Sequence, residues 1–355
     1  MKMLLSILLF LSTHLAACTG MKLTATDGSY VHGRTLEFGT PVDTSAAVIP
    51  RGYSFRATTP NGPGLIYKSK YAVVGTTASD NTAILDGLNE MGLSVATFYF
   101  PDFAGYTPTT KENQLRSLSP SDFAQWILTQ FATCSQVREG VQEVYIAPTV
   151  LEEWGPTPAP FHYIVYDADG NCLVIEPLGG KLILYDNEIG VLTNSPTFDW
   201  HMLNLRNYIN LSPYNATPIS LNSVILKQFG QGSGMVGLPG DFTPPSRFVR
   251  AAIFSGAALP PKTANQAVLQ LFHLLNQFDI PLGSIRETTG EMTYSPYTQA
   301  TSVKDPQSLR YYFKTFDDQT IQMIDLTDFN LNANAIKILK PKGITQIQNI
   351  SQDLR

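Results

Sequence analysis

The chain has 355 residues, 43% of them hydrophobic and 15% charged, with a formal net charge of −5. That length and apolar content suffice for a large core without disulfide staples, and 16 Tyr with 19 Phe exclude an intrinsically disordered protein. The mildly acidic balance argues against nucleic acid as a partner, because phosphate recognition needs a basic footprint.

Residues 1–17, "MKMLLSILLFLSTHLAA", place Lys2 ahead of an apolar run that closes on small residues. The run is too short to cross a bilayer and has the tripartite form of a secretory signal peptide. No later stretch is long and apolar enough to be a membrane span. The leader therefore predicts an exported protein, periplasmic or secreted, in an oxidising compartment. A pair between Cys134 and Cys172 would leave Cys18 as an odd thiol. Cys134 at a helix end and Cys172 within the strand-like "NCLVIEPL" read instead as small buried hydrophobes.

Cys18 has two readings of its own. "LAAC" resembles the lipobox of bacterial lipoproteins, whose cysteine is lipidated at sulfur and later acylated at nitrogen, giving a lipid-anchored envelope protein. In the other reading, cleavage leaves Cys18 with a free amine. An α-amino group titrates at roughly 7.7–8.0, and a cation beside sulfur favours the thiolate, so one residue holds base and nucleophile together. Lipidation would consume both groups, so the readings exclude each other.

Beyond Cys18, two alternating β-prone runs flank "TDGS", where Asp27-Gly28 predicts a hairpin returning over 34–38. Strands are expected at 71–77, 82–90 and 92–100. The period then changes to that of a helix over 119–134, with Ser119 as N-cap and Pro120 at the first helical position. A second helix is expected over 135–144. Strands follow at 161–167, 172–178, 181–187 and 189–194, then helices at 198–211, 245–259 and 263–279, then strands at 292–304, 308–316 and 319–326. Such an order suggests two large, mostly antiparallel sheets covered by helices. No internal repeat or linker divides the chain, so a single domain over 18–355 is expected. The long loops 107–120 and 230–245 are of a length that is often functional. "GQGSGMVG" within the second lacks a P-loop lysine. His32, His162, His201 and His273 show no metal-ligand spacing.

Five ordered stretches go further: "CTG" from Cys18, "HGRTLEFG" from His32, "DGLNEMGLSVATFYFP" over 86–101, "GVLTNSPTFDWH" over 190–201 and "GMVGLPGDFTPPSRFVR" over 234–250. Across residues 18–340 the chain resembles the choloylglycine hydrolase family, the penicillin V acylases and bile salt hydrolases, which are N-terminal-nucleophile hydrolases. The resemblance implies an α/β (α+β) fold of four layers, αββα. It implies an amidohydrolase that cleaves a non-peptide C–N bond through a thioester on Cys18, the terminal amine acting as proton shuttle. No metal or cofactor is needed. Arg34 matches an arginine near the sulfur, and Arg247 a second arginine near the site. Glu37 stands where the family commonly has Asp against the terminal amine. The Asn194 side chain and the Tyr99 backbone N–H match the oxyanion donors.

Taken singly, each residue has a plainer reading. Arg34 and Glu37 could be surface charges, Tyr99 a core aromatic, Asn194 a turn residue capping a helix and Arg247 an ordinary first-turn pair. The implied partner is a small-molecule amide with an apolar acyl group: phenoxyacetyl of penicillin V, the fatty acyl chain of an N-acyl homoserine lactone, or the steroid acyl group of a conjugated bile salt. Tyr99, commoner in the penicillin-acylase-like branch, and the leader favour the first two, with conjugated bile salt hydrolysis the alternative. A non-catalytic lipoprotein and an acyltransferase are the other readings. The resemblance also implies a homotetramer, and the segment 202–232 is expected to be a contact region.

Overall fold

Gly28 has φ +86°, a backbone conformation that a Cβ strains, and the turn it closes sends strand β1 (Ala17–Thr24) back as β2 (Tyr30–Phe38). The register sets Cys18 opposite Leu36 and Gly20 opposite Arg34. These facts come from a computed structural model that describes residues 17–78, 83–151, 154–341 and 343–351.

The chain continues through β3 (Thr44–Ile49), β4 (Val73–Ala78), β5 (Ile84–Asn89), β6 (Ser94–Tyr99), β7 (Phe161–Tyr166), β8 (Cys172–Leu178) and β9 (Lys181–Asp186). It closes with β10 (Tyr297–Asp305), β11 (Arg310–Thr315), β12 (Gln322–Asp325) and β13 (Lys337–Leu339). One sheet has the order β1-β2-β10-β11-β12 and the other β9-β8-β7-β6-β5-β4-β3-β13. Every pairing within them is antiparallel. The N-terminal hairpin is thus completed by strands from the far end of the chain.

Helices cover the outer faces. The helix α1 (Pro120–Gln130) opens on a capping box: the Ser119 hydroxyl accepts from Asp122 N, and the Asp122 carboxylate answers the Ser119 N–H. It packs on β5 and β6. After the short α2 (Cys134–Gly140) and α3 (Phe198–Leu205), α4 (Pro244–Ala257) lies on β1, and α5 (Ala264–Leu275) lies across β1, β2 and β10. Ala267, Val268, Leu271, Phe272 and Leu275 of α5 are buried at helical spacing. Burying each of the larger ones is worth roughly 1.5–3 kcal/mol. The result is the expected α+β fold in four layers, αββα.

The seam between the sheets is partly polar. His32 pairs with Ser94, Arg34 Nη1 donates to Thr97 O at 2.9 Å, and Ser302, Lys304 and Tyr311 all converge on Asp86. Gly20 lets the sheets approach closely there, because a Cβ at that position would lie 2.8 Å from the Phe98 ring. Cys134 and Cys172 are free, buried thiols.

Several expected elements differ. Residues 189–194 form a loop, not a strand: Asn187 Nδ2 donates to Val191 O, Gly190 N donates back to Asn187 Oδ1, and Gly190 at φ +65° turns the chain out. Only a bridge between Leu192 and Gly20 remains. The helices expected over 135–144 and 198–211 stop at Gly140 and Leu205 and continue as single 3-10 turns. The strand expected over 292–304 is interrupted beside Pro296, which has no N–H for a ladder, and splits into Met292–Tyr294 and β10. β3 was not anticipated, because "TSAAVI" is buried on nearly every residue and shows no alternation. The hairpin Ser54–Thr59 with Gly62–Lys68 was also missed, although Asn61-Gly62 is a turn signal and Gly62 has φ +116°.

Candidate active site

Side chains opposite each other in a ladder share a face. Cys18, Arg34 and Leu36 therefore face the second sheet, while Thr19 and Glu37 face the helix layer. Cys18 is buried, and Arg34 Nη2 donates to its Sγ at 2.7 Å. The guanidinium is fixed by Nη1 to Thr97 O, by Nε to Thr35 O at 3.1 Å, and by the Phe98 ring, whose centroid lies 4.8 Å from Cζ. Burial alone would lower the Arg34 pKa, but the charges of Cys18, Asp86 and Glu37 outweigh it and leave it raised. Asp86 likewise stays below the usual carboxylate range: burial would raise it, and Lys304 and Arg34 overcome that.

The backbone nitrogen of Cys18 faces a different group. It donates to Asn194 Oδ1 at 2.8 Å, and Arg247 Nη2 donates to the same oxygen at 2.7 Å. Arg247 comes from the first turn of α4 and also holds Cys18 O, Thr19 Oγ1 and Phe242 O. Burial pushes its guanidinium down to about 10, against the carboxylate of Glu37. Asn194 Nδ2 donates to Tyr99 O at 2.7 Å, which uses one of its two hydrogens. Phe100 N donates to Pro160 O, so the alternation of an antiparallel ladder points the Tyr99 N–H and C=O the other way, toward Asn194.

Glu37 lies across the ladder from Ala17 on one side and Thr298 on the other. Thr298 Oγ1 donates to Oε1 at 2.9 Å, from beside a bulge between Thr298 and Ala300. Oε2 is buried and has no partner among the described residues. Burial pushes this carboxyl up to about 7, with Arg247 the largest opposing influence.

That displacement has a sign. With Ala17 attached, the folded chain keeps the Glu37 proton up to about pH 7, while the unfolded chain releases it near about 4.3. Between those values the native state binds more protons, so stability falls as pH rises. The full swing is roughly 4 kcal/mol. Glu37→Gln in the same Ala17-bearing chain is expected to flatten that part of the profile. Urea denaturation between about pH 4 and 8 reads it, and an unaltered slope would count against the assignment.

Phe38, Tyr99, Trp154 and Phe161 wall a pocket that reaches Cys18 and Arg34. The rings meet edge to face, at 6.0 Å for Phe38 with Trp154 and 5.2 Å for Trp154 with Phe161. Leu36, Val42 and Leu85 complete an apolar lining.

The structure thus gathers all six residues singled out in the sequence. Cys18, Arg34, Asn194, Arg247 and the Tyr99 backbone are joined by direct hydrogen bonds or one intermediate, while Glu37 stands beside them. Thr97, Thr298 and the pocket walls Phe38 and Trp154 were not foreseen. Thr97 acts through its carbonyl, which carries no side-chain signature, and Thr298 is brought in from 261 residues away. His162 and His201 bind the backbone carbonyls of Thr193 and Asn194, and among the described residues no group of three or more His, Cys, Asp or Glu is placed to hold a metal.

Residues 18–339 match the family model described as linear amide C–N hydrolases, choloylglycine hydrolase family. The chain is 34% identical to the bile salt hydrolase/transferase of Clostridium perfringens, over 94% of this chain and all of that protein. A crystal structure of an arginine-to-leucine variant of conjugated bile acid hydrolase from that organism superposes with a TM-score of 0.83 at 33% identity, covering 94% of this chain and all of that one. Similarity to the penicillin V acylase of Pectobacterium atrosepticum is lower, at 25% identity over 84% of this chain and 78% of that protein.

Proposed function

The chain belongs to the choloylglycine hydrolase family of linear amide C–N hydrolases, and on that footing we propose that its working form begins at Cys18, after loss of a secretory leader, and cleaves a small-molecule amide with an apolar acyl group. The observation that carries this reading is the double engagement of one residue: Arg34 on the Cys18 sulfur and Asn194 on its nitrogen. The family match also starts at Cys18. Glu37 Oε2, buried opposite Ala17 without a partner among the described residues, is where an ammonium freed at Cys18 would find its counter-ion. Burial of the sulfur between the two sheets weighs against a lipid there.

The chemistry then runs in two balanced halves. The Cys18 thiolate, held by Arg34, attacks the acyl carbon, and the carbonyl electrons move onto oxygen. The second hydrogen of Asn194 Nδ2 and the Tyr99 N–H meet that charge. Collapse breaks the C–N bond while the Cys18 ammonium gives its proton to the departing nitrogen, leaving a thioester. Water attacks the thioester, the amine takes one of the water's protons, and the C–S bond breaks to restore the thiolate and release the carboxylic acid, which gives its remaining proton to solvent. Arg247 and Glu37 keep the nitrogen in place throughout.

The aromatic box of Phe38, Tyr99, Trp154 and Phe161 favours a flat acyl group such as phenoxyacetyl, as in penicillin V, and its apolar continuation suits the acyl chain of an N-acyl homoserine lactone. Conjugated bile salt hydrolysis is the second reading, supported by the higher identity to bile salt hydrolases. Rates on penicillin V, a long-chain N-acyl homoserine lactone and glycocholate test the assignment. Hydrolysis of glycocholate alone would replace the first reading with the second, and hydrolysis of none would remove both. The mass of the N-terminus of exported protein tests the processing: a free Cys18 supports it, a diacylglyceryl adduct opposes it.

We also propose a homo-oligomer joined through the hairpin Ile219–Leu221 with Val224–Leu226, where every residue is exposed and five are Ile, Leu or Val, at 219, 221, 224, 225 and 226. So much bare apolar surface marks an interface. Ile225→Lys together with Phe229→Glu, an exposed side chain three residues past the hairpin, is expected to lower the mass by light scattering below that of the wild-type oligomer. An unchanged mass, or a wild type that is already monomeric, would rule the interface out.

A further inference from the structure

Asn194 lies in a loop outside every strand and helix, yet an oxyanion donor has to be held within a fraction of an ångström. Two buried imidazoles flank it. His162 Nε2 faces Thr193 O at 3.0 Å, and His201 Nε2 faces Asn194 O at 2.8 Å. A carbonyl can only accept, so both Nε2 atoms carry hydrogen. His201 is then the neutral Nε2–H tautomer, and burial keeps it so by lowering its pKa to about 4. Its ring lies on Phe248, the residue after Arg247, with centroids 4.6 Å apart and planes 10° apart.

The other imidazole has backing. His162 Nδ1 lies 3.2 Å from Glu176 Oε1, and both side chains are fully buried. With Nε2 already protonated, that contact is attractive only with a further proton between nitrogen and oxygen. The same Oε1 accepts from Phe198 N at 3.0 Å, the first residue of α3, whose first turn carries His201. One carboxylate therefore links β7, β8 and α3. His162 is sandwiched on Phe100, with centroids 4.2 Å and planes 5° apart.

We propose that His162, backed by Glu176, and His201 are positioning residues that clamp the peptide units on the two sides of Asn194 and so aim its side-chain amide at the substrate carbonyl, an inference that rests on the role of Asn194 given above. The clamp explains why two histidines without metal-ligand spacing are buried so near the nucleophile: they hold a loop and do not touch the reacting atoms.

The test compares replacements that keep or lose the donor. His201→Gln retains an N–H near the position of Nε2, whereas His201→Phe retains the ring stack on Phe248 without the N–H; the same pair is made at His162. Each is assayed for kcat and KM on the amide the wild type cleaves, and for the rate at which iodoacetamide alkylates Cys18, a reaction that forms no oxyanion. The Phe variants are expected to lose about ten- to a hundredfold in kcat, with KM within about threefold and alkylation within about twofold of wild type. The Gln variants are expected to stay within about threefold in kcat. The proposal fails if the Phe variants keep wild-type kcat, if Gln loses as much as Phe, or if alkylation falls in step with kcat. Should His201→Phe not give a folded chain by circular dichroism, His162→Phe carries the same comparison. Asn194→Ala separates the two levels: full activity in that variant overturns the role of Asn194 itself, whereas loss there with unaffected Phe variants overturns only the clamp.

Discussion

Cys18→Ala is expected to reduce amide hydrolysis to the uncatalysed background while leaving the fold in place. The reasoning is positional. Cys18 is one residue of an eight-residue strand paired along its whole length with β2, and alanine suits that strand as well as cysteine does. What disappears is the only group bonded to Arg34 Nη2 that can become covalently linked to an acyl carbon. A companion chain that keeps Cys18 but retains Ala17 should also fail, by roughly 10²–10⁴, because the amide nitrogen of Cys18 can neither accept nor deliver the proton. It should still react with iodoacetamide. Full turnover by either protein, followed by acid quench and mass spectrometry for a thioester, would end the N-terminal-nucleophile assignment.

Asn194→Ala is expected to lower kcat by about 10²–10³, equivalent to roughly 2.7–4 kcal/mol of transition-state stabilisation, with a much smaller change in KM. Two roles end together. The Nδ2 donor is lost, and Oδ1 no longer receives Cys18 N and Arg247 Nη2. Asn194→Asp distinguishes them, since a carboxylate keeps the acceptor and removes the donor. It would hold the Cys18 amine but set a negative charge against the developing oxyanion. It should therefore be no better than alanine in kcat while matching wild type in Cys18 alkylation. Steady-state kinetics on one substrate decides it, and a near-wild-type Asn194→Asp enzyme would remove Asn194 from the oxyanion site.

The site was legible to different depths. Arg34 and Glu37 were recognised by likeness to a family, and the ladder shows a local reason for their place: once Asp27-Gly28 turns, Arg34 falls two positions along from the nucleophile. Asn194 and Arg247 were recognised only by likeness to a family. Nothing local to "TNSP" or "PPSRFVR" says that they meet Cys18 across 176 and 229 residues. Glu176 and Thr298 carried no signal, since each works through a partner set by sheet order.

By itself the sequence determined the elements whose energetics are local: the Asp27-Gly28 turn, the Ser119 capping box that starts α1 and the apolar stripe of α5. Those depend on hydrogen bonds and burial patterns within a few residues. Only the tertiary structure decided that 189–194 leaves the sheet as a loop, that the returning strands β10 and β11 complete the N-terminal sheet, and that two imidazoles flank Asn194. The reason is physical: those features rest on backbone carbonyls and on groups distant along the chain, and neither the identity of a residue nor its near neighbours records which carbonyl will be waiting when the sheets close.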